Sequence, residues 1–363
     1  MYYFFGFSYW KHDFVMPFFS EEEQKKICFI NPFFQKNLLK LALKKGLDKS
    51  SRIYIWGKKS FVDVENFAQR NNIPIYRVED GFIRSVGLGS DLTQPYSLVI
   101  DSRGIYFDPT QESDLEYMLQ NKTFSEKELQ RAENIRNFLV EHKLSKYNLY
   151  ANTKLDIPTE KRVVLVPGQV EDDASVRLGT DGMTNLKLLQ QARKNAQDAY
   201  IIYKPHPDVL VGNRIGNIEE SEALKYADRV VTEVGLDSVL ELCDEVHTMT
   251  SLVGFEALMR NKKVFTYGMP FYAGWGLTYD SISLERRTRE LTLLELVAAT
   301  LLHYPKYINP ETLRLCEVEE LLETLQKQRS DYNDSLLYRL KLHGRNYVSR
   351  KLQLLLRMVM LKR

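Results

Sequence analysis

Short β-branched and aromatic runs alternate with amphipathic stretches along this chain, and the alternation stops and then starts again. In the first half, SRIYIWG (51–57), IPIYRVED (73–80) and YSLVIDSRGIYFD (96–108) read as strands, and KSFVDVENFAQRNN between the first two reads as a helix. After residue 160 the pattern resumes with a strand RVVLVPG, a helix TNLKLLQQARKNA and a strand AYIIYKPHP. SVLELCDEVHTMTS (helix then strand), the helix GFEALMRNK and the strand KVFTYG complete it. Strands alternating with helices predict parallel α/β sheets, and the restart predicts two of them. The polar, helical segment 124–156 and the linker-like NTKLDIPTEK place the boundary near residue 157. The expected division is 1–156, 157–330 and a basic tail, 331–363.

The length of 363 residues agrees with two domains, because single cores stop growing at about 250–300 residues. A hydrophobic fraction of 44% and a charged fraction of 27% are those of an ordinary globular protein. A net charge of +2 supplies no global field for nucleic acid. The 21 Tyr and 18 Phe suit a sugar-handling protein. Cys28, Cys243 and Cys316 are far apart and odd in number, which gives neither a metal spacing nor a disulfide framework and points to the cytoplasm. The opening MYYFFGFSYWKHDF lacks a basic n-region and a cleavage site, so it reads as a first core strand. No apolar run reaches the ~18 residues of a membrane span.

From Ser335 to Arg363 there are eight Lys or Arg and no acid. Leu352, Leu355, Leu356, Val359 and Met360 fall at helical spacing among Arg350, Lys351, Arg357 and Lys362. Such a helix can lie on an anionic membrane surface, peripheral to the inner membrane, or pack on the domains with its basic face in water.

Four constellations close strands, and ligands of open α/β sheets bind at strand carboxyl ends. They are EDGF (79–82), VPGQVEDDAS with its three adjacent acids, YKPHPD (203–208) and TMTSLVGFEAL (248–258). Two prolines bracket His206, and Lys204 lies two residues before it on the same side of a strand. Together they form a cradle for one phosphate, or His206 is a turn residue satisfied by backbone. Thr250 and Ser251 precede a helix opening at Gly254, where hydroxyls and free N–H groups favour an anion. Glu256, a turn further on, is either an acceptor for ribose hydroxyls or a surface residue. The sequence contains no Walker loop, GxGxxG fingerprint, GxSxG elbow or His/Cys zinc pattern. Glu171, Asp172 and Asp173 could hold a divalent ion, but a nucleoside monophosphate leaving group carries less charge than a diphosphate. Lys204, His206 and helix N–H groups could stabilise it with no metal or other cofactor.

The motifs VEDGFIRSVGLGSDL, QPYSLVIDSRGIYFD, LSKYN, VLVPGQVEDDAS, AYIIYKPHPDV, VHTMTSLVGFEAL and GMPFYAGWGLT, in this order over about residues 50–310, resemble the KpsC-type β-Kdo transferases of capsular polysaccharide assembly. PGQVEDDAS is more similar to the second, C-terminal module of that family's two-module chains, and this chain has room for one module. The resemblance implies an α/β, GT-B-like fold: two Rossmann-like domains facing a central cleft, with C-terminal helices. It further implies CMP-Kdo as donor, an oligo-Kdo glycolipid acceptor, other capsule assembly enzymes as partners, and a β linkage formed with retention, (2→7) for the C-terminal module.

The family's essential aspartate maps onto Asp173, with the role of a nucleophile that captures the Kdo anomeric carbon from the face opposite CMP. A second inversion by the acceptor then gives retention. Adjacent side chains of an extended segment diverge, so Glu171 and Asp172 are expected to do other work. A carboxylate facing the sugar's own carboxylate costs ~4 kcal/mol at ~4 Å and an effective dielectric of 20, so a cation must sit nearby. Arg84, Arg177 and Lys204 are the candidates, and Gln169 joins them on the donor side. Glu79 is the candidate general base or acid toward the acceptor, or caps a turn with Asp80. Trp275, between two glycines, shapes the cleft, stacks on substrate or sits in an exposed structural loop, and GFSYWK after the first strand is a candidate acceptor contact. Rival readings are a transferase using another cytidine donor (CMP-sialic acid or a CDP-polyol) and a non-catalytic membrane-associated assembly protein.

Overall fold

The computed structural model describes residues 1–31, 37–83, 94–144, 155–157, 160–210 and 214–334. Strands β1 (Tyr2–Phe5), β2 (Ile27–Ile30), β3 (Arg52–Trp56), β4 (Ile75–Asp80) and β5 (Ser97–Asp101) open the chain. They are followed by β6 (Val163–Pro167), β7 (Tyr200–Lys204), β8 (Arg229–Val230), β9 (Glu245–Thr248), β10 (Lys263–Thr266) and β11 (Tyr279–Asp280). β12 (Pro305–Ile308) and β13 (Leu315–Cys316) come last.

These strands make two sheets in two compact units. The first unit gathers the described parts of Met1–Ser102, Glu141–Leu149 and Leu301–Arg363, and the second those of Arg103–Val140 and Tyr150–Thr300. The single boundary expected near residue 157 therefore gives way to a chain that crosses several times. Side chains explain why. Arg136, on the helix Glu126–Glu141, donates from Nε to the Met259 carbonyl at 2.7 Å, and Glu116 pairs with Arg287 at 2.8 Å. Both ties hold 103–140 to the second unit. The helix Val318–Asp334 belongs to the first unit, where Gln326 bonds His142 at 3.0 Å and Arg329 bonds the His142 carbonyl.

The first sheet runs β13-β12-β5-β4-β3-β1-β2. β2, β1, β3 and β4 are parallel, whereas β4–β5, β5–β12 and β12–β13 are antiparallel. The parallel sheet expected here holds for four strands, and the step to β5 is antiparallel; the sequence GFIRSVGLGSDLTQP between β4 and β5 carries no amphipathic period for a crossover helix. The strand read over 96–108 ends at Asp101, since the chain leaves the first unit at residue 103. β1 shows why this sheet is buried on both faces. Tyr3 and Phe5 pack with Ile53, Ile55, Val64 and Ala68 on one side, and Phe4 packs with Phe18, Tyr54 and Val78 on the other. Phe4 stacks on Tyr54 at 4.5 Å, and Tyr54 on Tyr76 at 5.0 Å. Much of the aromatic content that suggested sugar handling is thus core.

The second sheet runs β11-β10-β9-β6-β7-β8, every neighbour parallel. This is the doubly wound order, with its reversal between β6 and β9. All five residues of β6 are buried. Val164 and Val166 meet Leu188, Leu189 and Ala192 of the helix Asn185–Asn195, whose apolar positions recur at helical spacing. The fold is α/β with two parallel-rich sheets, consistent with a GT-B-like architecture. Among the described residues, no helix is long and apolar enough to cross a membrane, and the three cysteines are unpaired. The basic tail expected over 331–363 lies outside the described residues from 335 onward.

Candidate active site

The reversal between β6 and β9 is where the second sheet brings its motifs together. β6 ends at Pro167, and the Gly168 N–H donates to the Lys204 carbonyl at 2.8 Å. A Cβ at Gly168 would stand 2.8 Å from the Tyr203 hydroxyl and 3.2 Å from the Pro205 Cα, so only glycine lets the ends of β6 and β7 approach this closely. Gln169 follows, and its side chain crosses the reversal. Its Nε2 donates to the Thr250 hydroxyl at 3.0 Å, while its Oε1 accepts from the Thr250 N–H at 2.9 Å. The amide expected on the donor side joins the PGQV and TMTS loops.

The three acids take three separate partners. Glu171 accepts from the Asn185 N–H at 2.7 Å, at the start of the helix Asn185–Asn195. Asp172 accepts from Arg214 at 3.1 Å. Asp173 caps the helix Ala174–Gly179, its Oδ1 accepting from the Ser175 N–H at 3.0 Å and the Ser175 hydroxyl at 2.8 Å. Among the described residues Oδ2 of Asp173 has no hydrogen-bond donor, and the side chain is exposed. A single turn thus spreads mutually repelling charges: one to a helix start, one to an arginine and one to a cap with a free oxygen. Arg177 stands exposed in the last turn of that same helix.

Lys204 is the last residue of β7, and its Nζ donates to the Val234 carbonyl at 2.6 Å. Burial lowers its pKa to about 8. His206 lies beyond the strand, before the short helix Pro207–Leu210, so the same-side alternation expected for these two residues does not apply. Its Nδ1 accepts from the Asp208 N–H at 3.1 Å, which puts the proton of the neutral ring on Nε2.

Ser251 caps the helix Leu252–Met259 by accepting from the Val253 N–H at 3.2 Å. The Tyr272 hydroxyl donates to the Ser251 carbonyl at 2.5 Å and fills the space beside Gly254, where any Cβ would collide with it. Burial raises the Tyr272 pKa well above the usual phenol range, so it stays a donor. Glu256 is 5% exposed, within the helix rather than on its surface. Trp275 is neither exposed nor presented to a ligand: it is fully buried, with Nε1 donating to the Phe271 carbonyl at 2.8 Å.

In the first unit, Glu79 is half-buried near the end of β4, and its Oε1 accepts from the Asp80 N–H at 3.0 Å. Lys59 lies close enough to feel the Glu79 charge, and burial lowers its pKa. Its Nζ donates to the Gly6 carbonyl at 2.5 Å, across the reversal between β1 and β3. Within GFSYWK, Lys11 sits over the Trp56 ring at 2.9 Å from its centroid. Arg84 lies outside the described residues.

Sequence reasoning missed Asn185 and Arg214. Asn185, 1% exposed, accepts from the Gln169 N–H at 2.8 Å, and its Nδ2 donates to the Gln169 carbonyl at 2.7 Å and the Gly216 carbonyl at 2.8 Å. The signal was faint: an Asn after the capping Thr184 reads only as a helix start.

Residues 52–307 match the family described as capsule polysaccharide biosynthesis protein, and the chain belongs to that family. It is 47% identical to the capsule polysaccharide modification protein LipA of Neisseria meningitidis serogroup B over 90% of this chain and 45% of that one. It is 36% identical to the lipopolysaccharide-processing protein LpsZ of Rhizobium meliloti, over 90% and 74%. The chain thus spans about half the length of LipA. Among solved structures it is similar to the β-Kdo 2,7 transferase of Thermosulfurimonas dismutans KpsC, with 35% identity, a TM-score of 0.73, and coverage of 90% of this chain and 98% of that one. The β-Kdo 2,4 transferase of the same KpsC gives 34% identity, a TM-score of 0.71, and coverage of 85% and 96%. The chain is of the KpsC type.

Proposed function

We propose that this protein is a retaining β-Kdo transferase of capsule synthesis, moving Kdo from CMP-Kdo to a Kdo-terminated, lipid-linked acceptor through a covalent Kdo–Asp173 intermediate. The observation that carries this reading is the Gln169 bridge to Thr250, which gathers Asp173, the Lys204–His206 turn and the Ser251 helix start at one sheet edge. The identities to the β-Kdo 2,7 and 2,4 transferases, 35% and 34%, are nearly equal, and the (2→7) linkage rests on the likeness of PGQVEDDAS to the C-terminal module.

In this reading the cytidylate phosphate rests near Lys204, His206 and the Ser251 helix, whose N–H groups attract an anion. The free Oδ2 of Asp173 attacks the anomeric carbon as the bond to CMP breaks, and the acceptor hydroxyl displaces the carboxylate in a second inversion. The Ser175 bonds hold Oδ1 and so orient the attacking oxygen. Glu79 serves the acceptor hydroxyl as acid or base. Lys204, His206 and the helix start carry the leaving-group charge, so the proposed reaction is metal-independent. Residues 335–363 supply the proposed contact with the inner membrane face, and other capsule assembly enzymes are proposed partners. NMR analysis of the product made from CMP-Kdo and a synthetic Kdo acceptor tests donor, stereochemistry and linkage together. A β-(2→7) product is expected, and no released CMP, or an α product, overturns the reading.

A further inference from the structure

We propose that Arg214 receives the carboxylate of the transferred sugar and selects an acidic ketose over a neutral sugar, an assignment that rests on the Kdo reading above. A carboxylate nucleophile facing an anionic sugar needs a cation beside it. Of the residues expected to supply it, Lys204 is bonded to the Val234 carbonyl. Arg214 comes from the connection between β7 and β8 and is brought to the acidic turn by tertiary structure alone.

Its placement is built. The Glu171 N–H donates to the Ile215 carbonyl at 3.0 Å, and the Asn185 side chain donates to the Gly216 carbonyl at 2.8 Å. Gly216 has φ of +129°, and a Cβ there would stand 2.7 Å from Asn185 Nδ2 and 2.8 Å from the Gln169 carbonyl. This connection is therefore seated against the loop that leads into Asp173. Asp172, next to Asp173 in the chain, accepts from Nε and Nη2 of Arg214 through one oxygen, at 3.2 and 3.1 Å. The guanidinium keeps further N–H donors, and its side chain is 38% exposed. A planar, permanently charged fork suits a carboxylate, and one anchored by a neighbouring acid loses little freedom when it binds.

The test compares two ligands that differ by the acidic sugar. The KM for CMP-Kdo and the inhibition constant of CMP are measured for the wild type, Arg214→Ala, Arg214→Lys and Asp172→Asn. Arg214→Ala is expected to raise the KM for CMP-Kdo about 10- to 100-fold, the worth of a charged hydrogen bond, with CMP inhibition within about twofold. Arg214→Lys should recover part of the loss, and Asp172→Asn should leave CMP inhibition intact. Equal weakening toward both ligands means that Arg214 only braces the loop, and no change toward either means that it touches no sugar; each result overturns the assignment. A wild-type protein that releases no CMP from CMP-Kdo removes the underlying reading itself, and the assignment falls with it.

Discussion

At the reversal of the second sheet, side chains bond one loop to the next: Gln169 reaches Thr250, Asn185 reaches Gln169 and Gly216, and Tyr272 reaches Ser251. At the reversal of the first sheet, between β1 and β3, the connection is Lys59 donating to the Gly6 carbonyl, with Lys11 over Trp56 close by. The second edge is a polar lattice with its donors and acceptors largely matched; the first combines an aromatic floor with cations and Glu79. A lattice holds reacting groups in one geometry, as bond-breaking at an anomeric centre requires. The aromatic rings of the first edge are core, and its cations would suit the acidic acceptor of the proposed reaction.

Variants at the two edges are expected to differ in the size of their effect, with Asp173 the largest. Replacing Asp173 by Asn should lower turnover about 10⁴-fold or more, with CMP affinity nearly unchanged, and trapping by mass spectrometry should find no Kdo adduct on the variant. A variant with substantial turnover would move the chemistry away from the second edge. Glu79→Gln should cost about 10²- to 10⁴-fold in turnover, again without loss of CMP binding, if the first edge activates the acceptor. A loss of CMP binding instead would erase the contrast between the edges.

Asn185→Ala should destabilise the protein by roughly 2 kcal/mol or more, because the Gln169 and Gly216 backbone groups lose their buried partner. A lower urea midpoint accompanied by a higher KM for donor is the expected pair. The smallest effect is a pH dependence. An ordinary lysine keeps its charge to about pH 10.4, but Lys204 has its pKa lowered to about 8. Its contribution to binding an anionic donor is therefore full well below pH 8 and lost as pH rises through that value. Donor affinity should fall across this window in the wild type and stay flatter in Lys204→Met; parallel profiles would remove Lys204 from the phosphate site.

Much of the second sheet was legible because its strands are buried on both faces and read as continuous apolar runs, such as VVLV and YIIY. The motifs at their ends were legible because prolines, glycines and hydroxyl residues mark strand ends and helix starts locally, as Ser251 does. The first sheet was half legible. The strands β1, β3 and β4 follow the alternation, but β2 was not read as a strand, β12 and β13 return from the end of the chain, and no local pattern records a pairing of residues 97–99 with 305–307. Nor could the partners of the acids be read: Asp172 meets Arg214 42 residues away, and Gln169 meets Thr250 81 residues away.

Periodicity and local backbone chemistry were enough to show several strands and helices of each sheet, the restart of the alternation, and the motifs at strand ends. Tertiary structure alone decided that the two units interleave along the chain, that Trp275 is core, and that Glu171, Asp172 and Asp173 serve three different partners. A charged side chain's role depends on the donor it meets in space, and the donors for Glu171 and Asp172 come from segments distant along the chain.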